Sequence, residues 1–251
     1  MSVSIKSKRE IEIMREAGRI LGTVMRDLSK EIKAGMSTYT VDKLGEEMIR
    51  SYGCIPSCKG YEGYPAAFCI SVNEAVVHSI PSKKIILKEG DIVSLDACLE
   101  YKGYQADAAR TVGVGQISDE AAKLIEVTKQ SFFEGIKYAK EGCHLHEISN
   151  AIAAYNESFG YGVIRDLVGH GIGTQMHEDP PIPNFTQPRR GIKLYEGMTL
   201  AIEPMVSAGG YEIEWLDDDW TAVTADRSLA AHYENTVLVT KDGPDVLTLV
   251  D

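Results

Sequence analysis

Residues 91–115 constrain this chain more than any other stretch. Val, Ile, Leu and Tyr alternate there with small or polar residues on both sides of Lys102-Gly103, a natural turn, and the pattern predicts a β-hairpin. Each arm carries one aspartate, Asp96 and Asp107, eleven positions apart. Folding at Lys102-Gly103 brings them opposite one another within about one register step, where facing side chains lie roughly 5 Å apart. Bare carboxylates that close destabilise each other unless one is protonated or a cation sits between them, so the pair marks an acid/base dyad or a metal site. The alternative is a pair of solvated aspartates at a sheet edge.

Around the hairpin the periodicity predicts helices. Ser7-Lys8-Arg9-Glu10 has the form of a capping box, after which Ile13, Ala17, Ile20, Val24 and Leu28 recur at helical spacing before Gly35. Further helical stretches fit residues 41–50, 118–139 and 145–158, the last two each stopped by glycine. Residues 198–249 have a strand-like texture, with strands expected at 199–206 and 233–240 and the acidic stretch 214–219 between or beside them. The order helix, helix, sheet, then helix, helix, sheet implies an α+β chain whose similar halves wrap a shared curved sheet. No Pro/Ser-rich linker divides it, and the Pro-rich piece 179–188 is expected as a surface loop, so residues 1–251 are read as a single domain.

Composition narrows the function. The formal charge of −11, with no cluster of Lys and Arg, argues against nucleic-acid readout. No stretch approaches the roughly 18 apolar residues that span a bilayer, and the amino-terminal residues lack a signal-peptide core, so a cytoplasmic protein without a membrane partner is expected. Five cysteines (Cys54, Cys58, Cys69, Cys98, Cys143) show no C-x-x-C spacing, so neither a disulfide framework nor a zinc knuckle is indicated. The glycosylation patterns at Asn156 and Asn184 are discarded for want of secretion.

Further candidate ligands lie downstream of the aspartates. His170 stands among Gly169, Gly171 and Gly173, a composition that lets backbone approach a ligand closely, and His177 enters the Pro-rich piece. Glu203 ends one apolar strand and Glu234 begins another, neither with a basic neighbour in sequence. Four carboxylates and one imidazole suit manganese, iron(II), cobalt or zinc, and lack the thiolates of a structural zinc site. Two dications would balance the four negative charges, so two ions are expected.

With these residues in place the sequence resembles the type I methionine aminopeptidases, of the pita-bread fold. The resemblance runs from Lys8-Arg9-Glu10-Ile11-Glu12-Ile13-Met14-Arg15 through Ser71-Val72-Asn73-Glu74, Gly169-His170-Gly171-Ile172-Gly173 and Glu203-Pro204-Met205 to Glu234. It implies that Asp96 binds one metal, that Asp107 and Glu234 bridge both, and that His170 with Glu203 complete the second. It implies that His78 and His177 touch the scissile amide and its carbonyl oxygen. A methionine pocket would then map onto Cys58, Tyr61, Tyr64, Cys69, His78, Met176, His177 and Trp220; by residue type alone the first four read as an ordinary Tyr-rich loop, although sulfur and aromatic walls suit a thioether.

The expected reaction is removal of the amino-terminal methionine before a small second residue, by water activated between the two ions, with Glu203 as proton shuttle. Nascent polypeptide amino termini, near the ribosome, are the implied partners of a monomer. Some positions depart from the family pattern: Met176 replaces an aromatic residue, Cys98 a threonine, and Leu167-Val168 a Tyr-Cys pair, all bearing on pocket shape and metal preference. An amino-terminal zinc-finger extension is not expected. Two rival readings share the fold: a proline-specific aminopeptidase or dipeptidase, and a non-catalytic ribosome-associated binding protein, whose kind loses metal ligands.

Overall fold

In the computed structural model, which describes residues 3–250, helix α1 (Lys8–Glu31) begins on a complete capping box: Ser7 Oγ accepts the Glu10 N–H, and Glu10 Oε2 accepts the Ser7 N–H at 2.7 Å. Two of the helix's orphan donors are thereby satisfied. Its stripe buries Met14, Ala17, Ile20, Leu21, Val24, Met25 and Leu28, while Ile13 sits at the half-buried margin. The other α-helices among the described residues are α2 (Thr38–Ser51), α3 (Asp119–Ile136) and α4 (Leu145–Glu157). α3 ends three residues before Ala139 and not on a glycine: Lys137 keeps a helical conformation and the first downstream glycine is Gly142. α4 does end near one, Gly160, at φ 80°.

The hairpin forms as strands Ile92–Tyr101 and Tyr104–Gly113, joined by Lys102 and Gly103 at φ 51° and 82°. Positive φ at both turn residues is what a two-residue type I′ turn demands. Leu95, Ala97, Leu99, Ala106 and Ala108 pack under α1 and α2, which leaves Asp96 and Asp107 on the opposite face. A second core joins α3 and α4 to strands Thr199–Ile202 and Glu234–Val239. The halves meet where Glu234 pairs with Ala109 and Asn235 with Ala108, inside a nine-stranded sheet whose pairings are all antiparallel. This is the pita-bread arrangement.

Two expected strands break, and the breaks position the site. The 199–206 strand stops at Ile202, because Pro204 has no N–H to continue the ladder. Thr199–Ile202 stays in the large sheet, whereas Met205–Ser207 moves to a small one, pairing with Ala230–His232. The 233–240 strand divides likewise, between Ala230–His232 and Glu234–Val239. Glu203 and Glu234 therefore stand where neighbouring chain segments cross from one sheet to the other, tied by the Tyr233 N–H to Pro204 O bond of 3.2 Å.

The Pro-rich piece is not wholly a loop: Glu178–Ile182 forms the edge strand beside Gly169–Gly171, a place where Pro180 and Pro181 cost no interior hydrogen bond. Among the described residues no helix is long and apolar enough to cross a membrane.

Candidate metal centre

The hairpin register sets the first two acids. Asp96 pairs with Ala109 and Asp107 with Cys98, so the aspartates are diagonal neighbours two residues apart and not directly opposed as the 5 Å expectation required. An even offset keeps them on one face, with Cα atoms roughly 7–8 Å apart for such diagonals. Thr236 Oγ1 accepts the Asp107 N–H at 2.9 Å and donates to the Asp107 carbonyl at 3.0 Å, which fixes Asp107 against the strand carrying Glu234.

His170 lies on the short Gly169–Gly171 strand, paired with Ala201. Its glycine neighbours admit adjacent backbone: a Cβ on Gly169 would stand 2.4 Å from Ala201 O, and one on Gly171 2.2 Å from Asp179 O. The His170 Nδ1 lies 2.9 Å from the Gly171 carbonyl, which can only accept, so Nδ1 carries the hydrogen. The Nε2 lone pair then faces Glu203 Oε1 at 3.6 Å and Asp107 Oδ2 at 4.0 Å.

Donor atoms of Asp107, His170 and Glu234 all lie within 4.8 Å of one another. Asp107 Oδ1 and Glu234 Oε1 are buried and, among the described residues, without a hydrogen-bond partner. Leaving such acceptors bare costs about 1–3 kcal/mol each, and a divalent cation is the partner that oxygen and imidazole donors of this kind accept.

Electrostatics agree. Burial raises Asp96 from the ordinary carboxylate range to about 7, and burial followed by repulsion from neighbouring carboxylates pushes Asp107, Glu203 and Glu234 well up. The histidines move oppositely. Burial, with a smaller contribution from His177, lowers His78 and His170 to about 4, so both rings are neutral at pH 7. Burial, His78 and Arg110 lower His232 to about 3.

All thirteen residues singled out in the sequence line one cavity of about 240 Å³. Tyr64 meets Trp220 edge to face, with centroids 5.0 Å apart, and its hydroxyl donates to Ser79 O at 2.9 Å. Cys58, Cys69 and Met176 supply sulfur, and burial pushes the first two thiols well above their ordinary range, so they are neutral walls. His78 follows strand Ala75–Val77 at φ 59°, a left-handed conformation whose strain of order 1–3 kcal/mol is typical of functional positions. Tyr61 Oη lies 2.7 Å from His177 Nδ1, and the His177 and His170 rings are 4.3 Å apart.

Sequence reading missed Arg110 and His232. The Arg110 guanidinium donates to the Glu234 carbonyl and, at 2.6 Å, to Asn235 Oδ1 behind the cluster. His232 lies within 4.0 Å of two of the acids. Its signal was present: two residues before Glu234, it shares that residue's face if the extended run continues.

An enclosed cage of acids and imidazole in a curved antiparallel sheet, open to a cavity of sulfur and aromatic walls, defines a metal-dependent peptidase. The family model described as metallopeptidase family M24 matches residues 12–241. A methionine aminopeptidase of Clostridium acetobutylicum is 55% identical over 99% of this chain and 100% of its own length. The crystal structure of a methionine aminopeptidase from Thermotoga maritima superposes with a TM-score of 0.97 at 44% identity, covering 99% of this chain and 100% of that one. An Xaa-Pro dipeptidase from Bacillus anthracis is similar with a TM-score of 0.77 at 26% identity, over 98% of this chain but 62% of its own. The chain belongs to metallopeptidase family M24, among its methionine aminopeptidases.

Proposed function

We propose that this chain removes the amino-terminal methionine from peptides and newly made proteins, using two divalent ions held by Asp96, Asp107, His170, Glu203 and Glu234. One observation carries the reading: the carboxylate and imidazole cage opens into the same cavity as the thiol, thioether and aromatic walls that suit a methionine side chain. Four carboxylates against one neutral imidazole favour two dications over one, and the donor set admits cobalt, manganese, iron(II) or zinc. Bound there, the ions supply Lewis acidity toward the scissile carbonyl and bring the acidity of water toward neutral pH.

The chain's own side chains do the remainder. Tyr61 Oη lies 2.7 Å from Nδ1, and in the tautomer this reading requires the hydroxyl donates there, so that His177 carries its hydrogen on Nε2 and offers it to the carbonyl oxygen. His78, neutral and held at positive φ, faces the scissile amide. Glu203, between two histidine rings, takes a proton from the attacking water and delivers it to the departing amine. Cys58, Tyr61, Tyr64, Cys69, Met176 and Trp220 receive the methionine side chain and exclude water from it. The substrate residue next to methionine is read as a small one. The same reading has a monomer act in the cytoplasm, on chains emerging near the ribosome.

The proline-specific reading keeps the five ligands and is tested directly. Met-Gly-Met-Ser should be cleaved with a kcat/KM at least about 100-fold above that for Xaa-Pro peptides; the reverse order would overturn the assignment. The binding-protein reading loses support because every ligand position is filled. His177→Ala should leave metal content unchanged and lower kcat about 100- to 1,000-fold, the cost of one lost oxyanion donor. His78→Ala should likewise keep its metal and lose kcat. Loss of metal together with activity in either variant would reassign that histidine to the ligand set.

A further inference from the structure

His232 is a buried imidazole that the proposed reaction does not use. It is 1% exposed, and neither ring nitrogen has a hydrogen-bond partner among the described residues. Its backbone is fixed from both sides: Thr111 Oγ1 accepts the His232 N–H at 2.8 Å and donates to the His232 carbonyl at 2.9 Å. The ring is thus carried on a fixed stretch of backbone in a fully buried place. Its Nε2 stands 3.8 Å from Glu203 Oε2 and 4.0 Å from Glu234 Oε2.

Glu203 is thus flanked by two imidazoles, Oε1 toward His170 and Oε2 toward His232. The two rings are prepared for different work. His170 spends its hydrogen on the Gly171 carbonyl and presents a lone pair. His232 has no carbonyl partner, so its single N–H is free to point at a carboxylate. A buried polar group without a partner costs about 1–3 kcal/mol, and a contraction of about 1 Å between Nε2 and Oε2 reaches hydrogen-bonding distance.

We propose that His232 is a positioning residue of the metal centre, whose Nε2–H holds Oε2 of Glu203 and thereby keeps Oε1 turned toward His170, so that the two could hold an ion together. The proposal rests on the reading of Glu203 as a metal ligand. Partners that orient a ligand in this way typically contribute 10- to 100-fold to metal affinity.

The test is calorimetric titration of Mn(II) and of Co(II) into chelator-stripped protein, beside thermal unfolding of the same stripped samples. His232→Phe, which keeps a planar ring in place and removes the donor, should weaken binding about 10- to 100-fold. His232→Gln, whose amide N–H reaches toward the same oxygen, should recover most of that loss with a Co(II) absorption spectrum like that of the wild type. Should the phenylalanine variant not fold, His232→Leu carries the same comparison. Unchanged affinity in a folded apolar variant overturns the proposal. A changed Co(II) spectrum in the glutamine variant overturns it too, in favour of direct ligation by His232. A wild-type protein that takes up neither ion defeats the metal-centre reading itself, a result distinct from either of these.

Discussion

Glu234→Ala lowers kcat/KM for a methionyl peptide by about 1,000-fold or more and removes the bound metal with the activity. The magnitude comes from the role proposed for this carboxylate, a ligand without which the ions would not be held. Lewis-acid stabilisation is worth several kcal/mol, and about 4 kcal/mol at 1.36 per decade is about 10³. The fold should survive, because the change takes one negative charge out of a crowded buried cluster and leaves the Arg110 contact with the Glu234 carbonyl in place. Circular dichroism checks the fold, metal analysis the occupancy and peptide kinetics the turnover. A metal-free variant with full activity would sink the assignment.

Stripping the ions with a chelator lowers the unfolding temperature, and more so at pH 7.5 than at pH 5. A group whose folded pKa is raised binds its proton more tightly folded than unfolded, so its stability contribution is complete below the unfolded pKa and is lost as pH rises through the folded one. Asp96, raised to about 7, places that loss between the ordinary carboxylate range and neutrality, and Asp107, Glu203 and Glu234 act in the same direction. The stripped protein should therefore weaken steadily as pH rises from about 4. Metal opposes this. At a free concentration 100 times Kd one ion adds about 2.7 kcal/mol, or about 5–10 °C for a domain of this size. Thermal scans with and without chelator at the two pH values decide; a midpoint indifferent to both would contradict the buried cluster.

Much of the architecture is legible because local rules and global fold agree. The Lys102-Gly103 turn, the capping box at Ser7 and the apolar stripe of α1 are each satisfied as written. The register follows from the same turn, though the expectation of opposed aspartates passed it over: a two-residue turn that pairs Tyr101 with Tyr104 makes partner numbers sum to 205, so Asp96 faces residue 109 and Asp107 faces residue 98. What stayed hidden was long-range. Residues 199–206 and 233–240 look like continuous strands because their apolar texture does not break, and only Pro204 hints that one of them changes sheets. The proximity of His232 to Glu203 depends on that crossing. The glycines around His170 announced a close approach, but composition could not say that the approaching group was a neighbouring strand.

The crossing of two segments between sheets has a consequence for timing. Asp96 and Asp107 come from the first half of the chain, whereas His170, Glu203 and Glu234 arrive from later strands that must close against it. A chain with only the hairpin formed would hold two of the five proposed ligands, so metal uptake, on the proposed reading, would report that the later strands have closed against it. The proposed reactivity would therefore belong to the whole chain and to neither half of it.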